Sequence, residues 1–146
     1  MNDEFNNNII IKVNYELAKE NGLFDHENDP VMYIIVNDDI IMDYNKIITQ
    51  CCHSVSKITR INENLKTKTY SQWISSYESK IILKTSESNL LYCINNFADI
   101  QKDIWCVHIL DLIKTDASPF SITAVAFNPM LIKQTPDFIK KFQTMQ

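Results

Sequence analysis

The chain has 146 residues and a mass of 17.0 kDa, is 45% hydrophobic and carries a formal charge of -4, which fits one globular domain with a hydrophobic core. No apolar run approaches the roughly 20 residues that a membrane span needs. The first 45 residues lack the basic start and apolar centre of an export signal and are too acidic for a mitochondrial presequence, so a soluble, cytoplasmic protein without membrane attachment is expected.

Residues 1–30 are rich in Asn and acids, with one helical stretch stopped at Asn21-Gly22 and then the loop DHENDP; they are expected to form a partly ordered extension. The compact domain, residues 31–146, begins with VMYIIVN (31–37), a continuous β-branched and aromatic run expected of a strand covered on both faces. After the loop DDIIMD, Asp43 is the expected N-cap of a helix from about Tyr44 to Asn62. Its buried stripe is Ile47, Cys51, Val55 and Ile58. A polar loop then leads to a short helix around Gln72–Tyr77.

KIILKT (80–85) predicts a second buried strand, and Ser86 or Ser88 caps a helix through about Ile100 whose inner face holds Leu90, Leu91, Ile94, Phe97 and Ala98. WCVHIL (105–110) and SITAVAF (121–127) predict the third and fourth strands, and residues 130–142 a last helix. The expected fold class is α/β: a four-stranded mixed β-sheet with right-handed crossovers and helices packed on both faces.

Charge is distributed unevenly. Residues 1–45 hold 2 Lys against 10 Asp/Glu, residues 46–84 hold 7 Lys/Arg against 2 Glu, and the remainder holds 5 against 6. A basic middle segment can bind a polyanion inside an acidic protein, because local potential steers a ligand; a solvated helix face is the plainer explanation. Lys46, Gln50, His53 and Lys57 form a polar stripe along the first helix. Lys46 and His53 lie roughly 10 Å apart along the axis, at about 1.5 Å per residue, a separation suited to holding two parts of one ligand. Lys46 also occupies the first turn, where a cation is unfavourable unless an anion lies nearby.

The four cysteines, Cys51, Cys52, Cys93 and Cys106, are expected as free thiols. Cys51-Cys52-His53 is a poor zinc site because adjacent helical side chains diverge by about 100°, and the same divergence disfavours a Cys52–His53 nucleophile pair. No metal and no cofactor is expected. A second polar group, Asp111, Thr115, Ser118, Ser121 and Thr123, surrounds the connection between the third and fourth strands, with Asp111 expected just beyond the strand end, where ligands of α/β sheets gather.

Met42-Asp43-Tyr44-Asn45-Lys46-Ile47-Ile48-Thr49-Gln50-Cys51-Cys52-His53-Ser54 resembles the M-G-K-G-K-[IV]-A-A-Q-C-x-H-A segment of the type 2 peptidyl-tRNA hydrolases of archaea and eukaryotes. The stretch from Asp111 to Thr123, DLIKTDASPFSIT, resembles that family's D-A-G-R-T-Q-I-x-P-G-[TS]-x-T. Trp73, KIILK at 80–84 and Asn128-Pro129 are similar to its W, K-[IV]-V-L-K and G-P in order and spacing. The resemblance spans about 31–142. It departs at the glycines: Asp43-Tyr44-Asn45 replaces G-K-G, Leu112-Ile113 replaces A-G, and Phe120 replaces the glycine after proline.

What the resemblance implies is hydrolysis of the ester between a peptide and the terminal ribose of tRNA, with peptidyl-tRNA as the partner through its acceptor arm. By matching positions, His53, Asp111, Lys46, Thr115 and Thr123 are the implied catalytic group, with either His53 or Asp111 activating water. Lys57, Arg60, Lys66, Lys68 and Lys114 are the expected tRNA contacts. Tyr70 and Trp73 are expected in the core, with stacking on the terminal adenine as the alternative. The rival function is a non-catalytic RNA- or protein-binding module of the same fold. A homodimer is expected by resemblance alone.

Overall fold

The computed structural model describes residues 26–112 and 120–145. Its sheet is mixed and has six strands: β1 (Pro30–Asn37), β2 (Lys80–Thr85), β3 (Cys106–Leu112), β4 (Phe120–Phe127), β5 (Met130–Leu131) and β6 (Gln143–Thr144). The order is β3-β4-β1-β2-β6, with β5 bonded to the start of β1. β1 and β2 are parallel, whereas β4 on β1, β3 on β4 and β6 on β2 are antiparallel.

The four expected strands are therefore joined by two more, β5 and β6. Each has only two residues, too few to display an alternation, and exists because tertiary packing brings it to a sheet neighbour.

β1 is buried along its whole length, and its alternating side chains divide the core in two. Val31, Tyr33 and Ile35 pack with Leu83, Leu90, Cys93, Phe127 and Ile139, whereas Met32, Ile34 and Val36 pack with Cys51, Ile58, Tyr70, Trp73 and Trp105. Helices α1 (Tyr44–Leu65) and α2 (Lys68–Ile74) thus cover one face, and α3 (Glu87–Asn96) and α4 (Asp137–Lys140) the other.

The elements end for local reasons. Asp43 caps α1 by accepting from the Lys46 N–H at 2.8 Å. At the other end Lys66 adopts a left-handed conformation, φ 48° and ψ 47°, with its N–H donating to the Asn62 carbonyl at 2.7 Å. This is a position where a Cβ is costly and glycine is favoured. Lys66→Gly is expected to raise stability by on the order of 0.5–1 kcal/mol, read as a higher urea midpoint at constant slope.

Thr67 caps α2, accepting from Tyr70 N–H at 3.2 Å, so the helix begins at Lys68, four residues before the expected start at 72. Ser86 caps α3, which stops at Asn96 rather than Ile100. Within it Cys93 is buried, while Leu91 is 43% exposed and so does not belong to the inner face.

The long terminal helix expected over 130–142 is replaced by β5, a 3-10 turn at Ile132–Gln134 and the single turn α4. Pro136 lacks an N–H and disfavours helical geometry in the residue before it, and Thr135 accordingly has ψ 122°. The Thr135 hydroxyl instead meets Tyr33 Oη at 2.8 Å.

Tyr70 and Trp73 are 3% and 1% exposed, which places them in the core and removes them as a stacking platform. The Tyr70 hydroxyl donates to Glu63, and its pKa is pushed up to about 12 by burial first and by that hydrogen bond second. Among the described residues no helix is long and apolar enough to cross a membrane.

Candidate active site

Helix α1 and strand β3 form the seam on which Lys46, His53, Lys57, Arg60 and Asp111 lie. Near the start of α1, the Lys46 ammonium pairs with the Asp111 carboxylate of β3, the two side chains being 41% and 25% exposed. Farther along, Lys57 Nζ donates to the His108 carbonyl at 3.0 Å, so the helix and the strand run in opposite directions. Asp111 lies within β3, paired with Ser121, and not beyond the strand end as expected, because the antiparallel β3–β4 pairing continues past it.

Thr123 completes the group through an irregularity in the sheet. Ile109 pairs with Ala124 and Leu110 with Ile122, leaving Thr123 as an extra residue on β4. Such a bulge reverses the facing of the residues beyond it. Strict alternation from Ala126, on the α1 side, would turn Thr123 toward α3 and Ile122 toward α1. Instead Ile122 packs in the α3-side core, and the Thr123 hydroxyl, 1% exposed, donates to Gln50 Oε1 of α1 at 2.6 Å.

Lys46, Asp111 and Thr123 line one cleft of about 420 Å³ together with Ile40, Ile41, Met42 and Asp43. The acid at position 43 is used as the helix cap described above. In this cleft a cation, a carboxylate and an anchored hydroxyl converge, a set able to polarise a carbonyl and accept a proton from water.

His53 is not in that cleft. Two helical turns separate it from Lys46, and it lines an adjoining cleft of about 610 Å³ with Lys57, Arg60, His108 and Leu110. His108 holds its pKa below the ordinary 6.5, through burial first and the charge of Lys57 second; Lys57 and Arg60 line the cleft as permanent cations. Among the described residues no acidic side chain lines it.

Lys66 and Lys68 lie past the C-terminal end of α1, and Lys68 borders a separate depression with Lys102. Lys114, Thr115 and Ser118 are outside the described residues. Residue patterns did not single out His108, or Ile40 to Met42 as cleft walls; His108 is hidden in an apolar strand, and the loop offers no charged signal. Gln50 was visible as a member of the polar stripe, but its bond to Thr123 was not.

The cysteines divide as helix geometry predicts. Cys51 is buried and Cys52 exposed. Burial raises the thiol pKa to about 11 at Cys51, where Cys52 adds to the effect, and to about 12 at Cys93 and Cys106. Such thiols are poor nucleophiles. Among the described residues no group of three or more His, Cys, Asp or Glu is placed to hold a metal ion.

A family model described as Peptidyl-tRNA hydrolase PTH2 matches residues 30–145. The chain belongs to this family. Comparison with curated proteins finds no match. The match takes in α1, β3 and β4, and hence every described residue of both clefts. Membership connects the chain at the family level with a hydrolase of translation acting on peptidyl-tRNA.

Proposed function

We propose that this protein hydrolyses the ester between a peptide and the 3′-terminal ribose of tRNA, releasing a reusable tRNA in the cytoplasm. The observation that carries the proposal is the convergence of Lys46, Asp111 and Thr123 in one cleft of a PTH2-family domain. In the proposed reaction Asp111 takes a proton from an attacking water while the water oxygen bonds to the ester carbonyl carbon. Lys46 supports the negative charge that develops on the carbonyl oxygen.

The bond from that carbon to the ribose oxygen then breaks. The proton held by Asp111 passes to the departing 3′-oxygen, leaving a peptide carboxylic acid, which ionises, and a free hydroxyl. Thr123, fixed by Gln50, shapes the wall against which the ester lies. The ester is intrinsically labile, so a positioned water and modest electrostatic support suffice without a covalent intermediate.

His53, Lys57 and Arg60 occupy the adjoining cleft and are assigned to the phosphates next to the terminal nucleotide. His53 thereby moves from water activation to substrate binding, and Asp111 is the base. Lys66 and Lys68 extend the basic surface along the acceptor arm. Phosphate contacts of this kind give affinity with little sequence preference and strong salt dependence.

The test is release of tRNA from a purified peptidyl-tRNA, with tRNA binding measured in parallel. Turnover above the uncatalysed rate is expected. Turnover equal to that rate with tRNA still bound would convert the assignment into that of a binding module. A Lys57→Ala/Arg60→Ala variant should lower affinity and reduce the slope of log K against log salt by about 2, near 0.9 per lost phosphate contact for a duplex and 0.7 for a single strand. An unchanged slope would remove these residues from the footprint.

A further inference from the structure

Besides the reacting groups, the same cleft has an apolar wall. Ile40, Ile41 and Met42 line it together with Lys46, Asp111 and Thr123. Met42 packs partly against the core, Ile40 is half-buried, and Ile41 projects fully into solvent with a relative exposure of 102%. An exposed isoleucine alone is unremarked on most surfaces. Here it stands beside two other apolar side chains in a cleft that Lys46 and Asp111 also line.

The loop that carries them is fixed at both ends. Asp38 N–H donates to the Thr85 carbonyl at 2.8 Å, Asp39 N–H to Asn37 Oδ1 at 2.9 Å, and the Asp39 carboxylate accepts from Glu87 N–H at 2.8 Å. Asp43 closes the segment by capping α1. The wall is therefore pre-positioned, which limits the ordering cost of receiving a ligand.

We infer that Ile40, Ile41 and Met42 form a subsite for the side chain of the amino acid esterified to tRNA, and that it favours apolar side chains. The inference rests on the hydrolase reading above and deepens it. When the ester carbonyl lies against Lys46 and Asp111, one substituent of its α-carbon faces this wall, since both surfaces belong to one cleft of about 420 Å³. Apolar contact there removes the otherwise exposed Ile41 from water. A glycine residue at the esterified position leaves the wall uncovered.

The experiment uses the full chain and one tRNA charged in turn with N-acetylleucine and N-acetylglycine, with spontaneous hydrolysis subtracted. For wild type the expected ratio of kcat/KM, leucine over glycine, is about tenfold, at the low end of discrimination by an apolar pocket. Ile41→Ser and Ile40→Ser should each reduce that ratio to about threefold or less. Leu91→Ser, an exposed apolar position on α3 across the sheet, should retain the wild-type ratio. A wild-type ratio near one, or a ratio unchanged in both loop variants, overturns the subsite while leaving the hydrolase assignment standing. Failure of wild type to hydrolyse either ester overturns both.

Discussion

Asp111→Asn is expected to lower kcat/KM for peptidyl-tRNA by about 10²–10⁴, the usual worth of a positioned general base, with little change in thermal stability. The pairing explains the separation of the two effects. Lys46 and Asp111 form an ion pair that is substantially exposed, at 41% and 25%, and exposed pairs contribute about 0–1 kcal/mol to folding. Their proximity therefore matters mainly to chemistry. Lys46→Met should cost about 10²–10³ in kcat, as loss of one donor to a developing oxyanion does. The double variant should be no worse than about tenfold below the poorer single variant, because groups acting as a unit are not additive.

His53→Ala separates the two clefts. It should raise KM with kcat nearly unchanged, since His53 lines the Lys57–Arg60 cleft; a fall in kcat equal to that of Asp111→Asn would return the base role to the histidine. Steady-state kinetics with matched thermal melts provides all of these readouts.

Trp73→Ala is expected to destabilise the fold by about 3–5 kcal/mol, a large share of the 5–15 kcal/mol typical of a domain. Trp73 is 1% exposed and packs with Met32, Ile34 and Ile58 in the α1-side core. Its indole N–H donates to the Ser79 carbonyl at 2.9 Å, and Lys80 Nζ lies 5.1 Å from its ring centroid. Trp73→Phe should cost less than the alanine variant. It retains most of the apolar volume, and the Ser79 carbonyl also accepts from Met32 N–H at 2.9 Å, so it is not orphaned.

Urea unfolding of both variants checks the order, and tRNA affinity measured below the transition should be nearly normal for Trp73→Phe. A selective loss of affinity without loss of stability would place the indole in contact with nucleic acid. Its burial argues for the former outcome.

The local features were legible. The run 31–37 reads as a strand covered on both faces because every residue in it is apolar except Asn37, and it is the element that separates the two cores. Asp43 before an apolar repeat marked the start of α1, and spacing placed Cys51 in the core. The 46–50–53–57 stripe was legible as one polar face of α1, from which Gln50 reaches Thr123 of β4, His53 lines the adjoining cleft and Lys57 reaches the His108 carbonyl of β3. Its distribution between two clefts follows from the two turns of helix between Lys46 and His53.

Other features depended on pairing partners far away in the chain. The Thr123 bulge exists only in relation to the register of β3, and its consequence is a bond between residues 73 positions apart. Period-two alternation in SITAVAF points Thr123 to the wrong face, and nothing in that segment records the extra residue. The same limitation hid β5 and β6, the Lys46–Asp111 pair and the apolar wall at Ile40–Met42. By itself the sequence determined the periodicities, the caps and the resemblance, because these are written in neighbouring residues. The tertiary structure decided which polar groups share a cleft, because that depends on strand register and on the antiparallel crossing of α1 over β3.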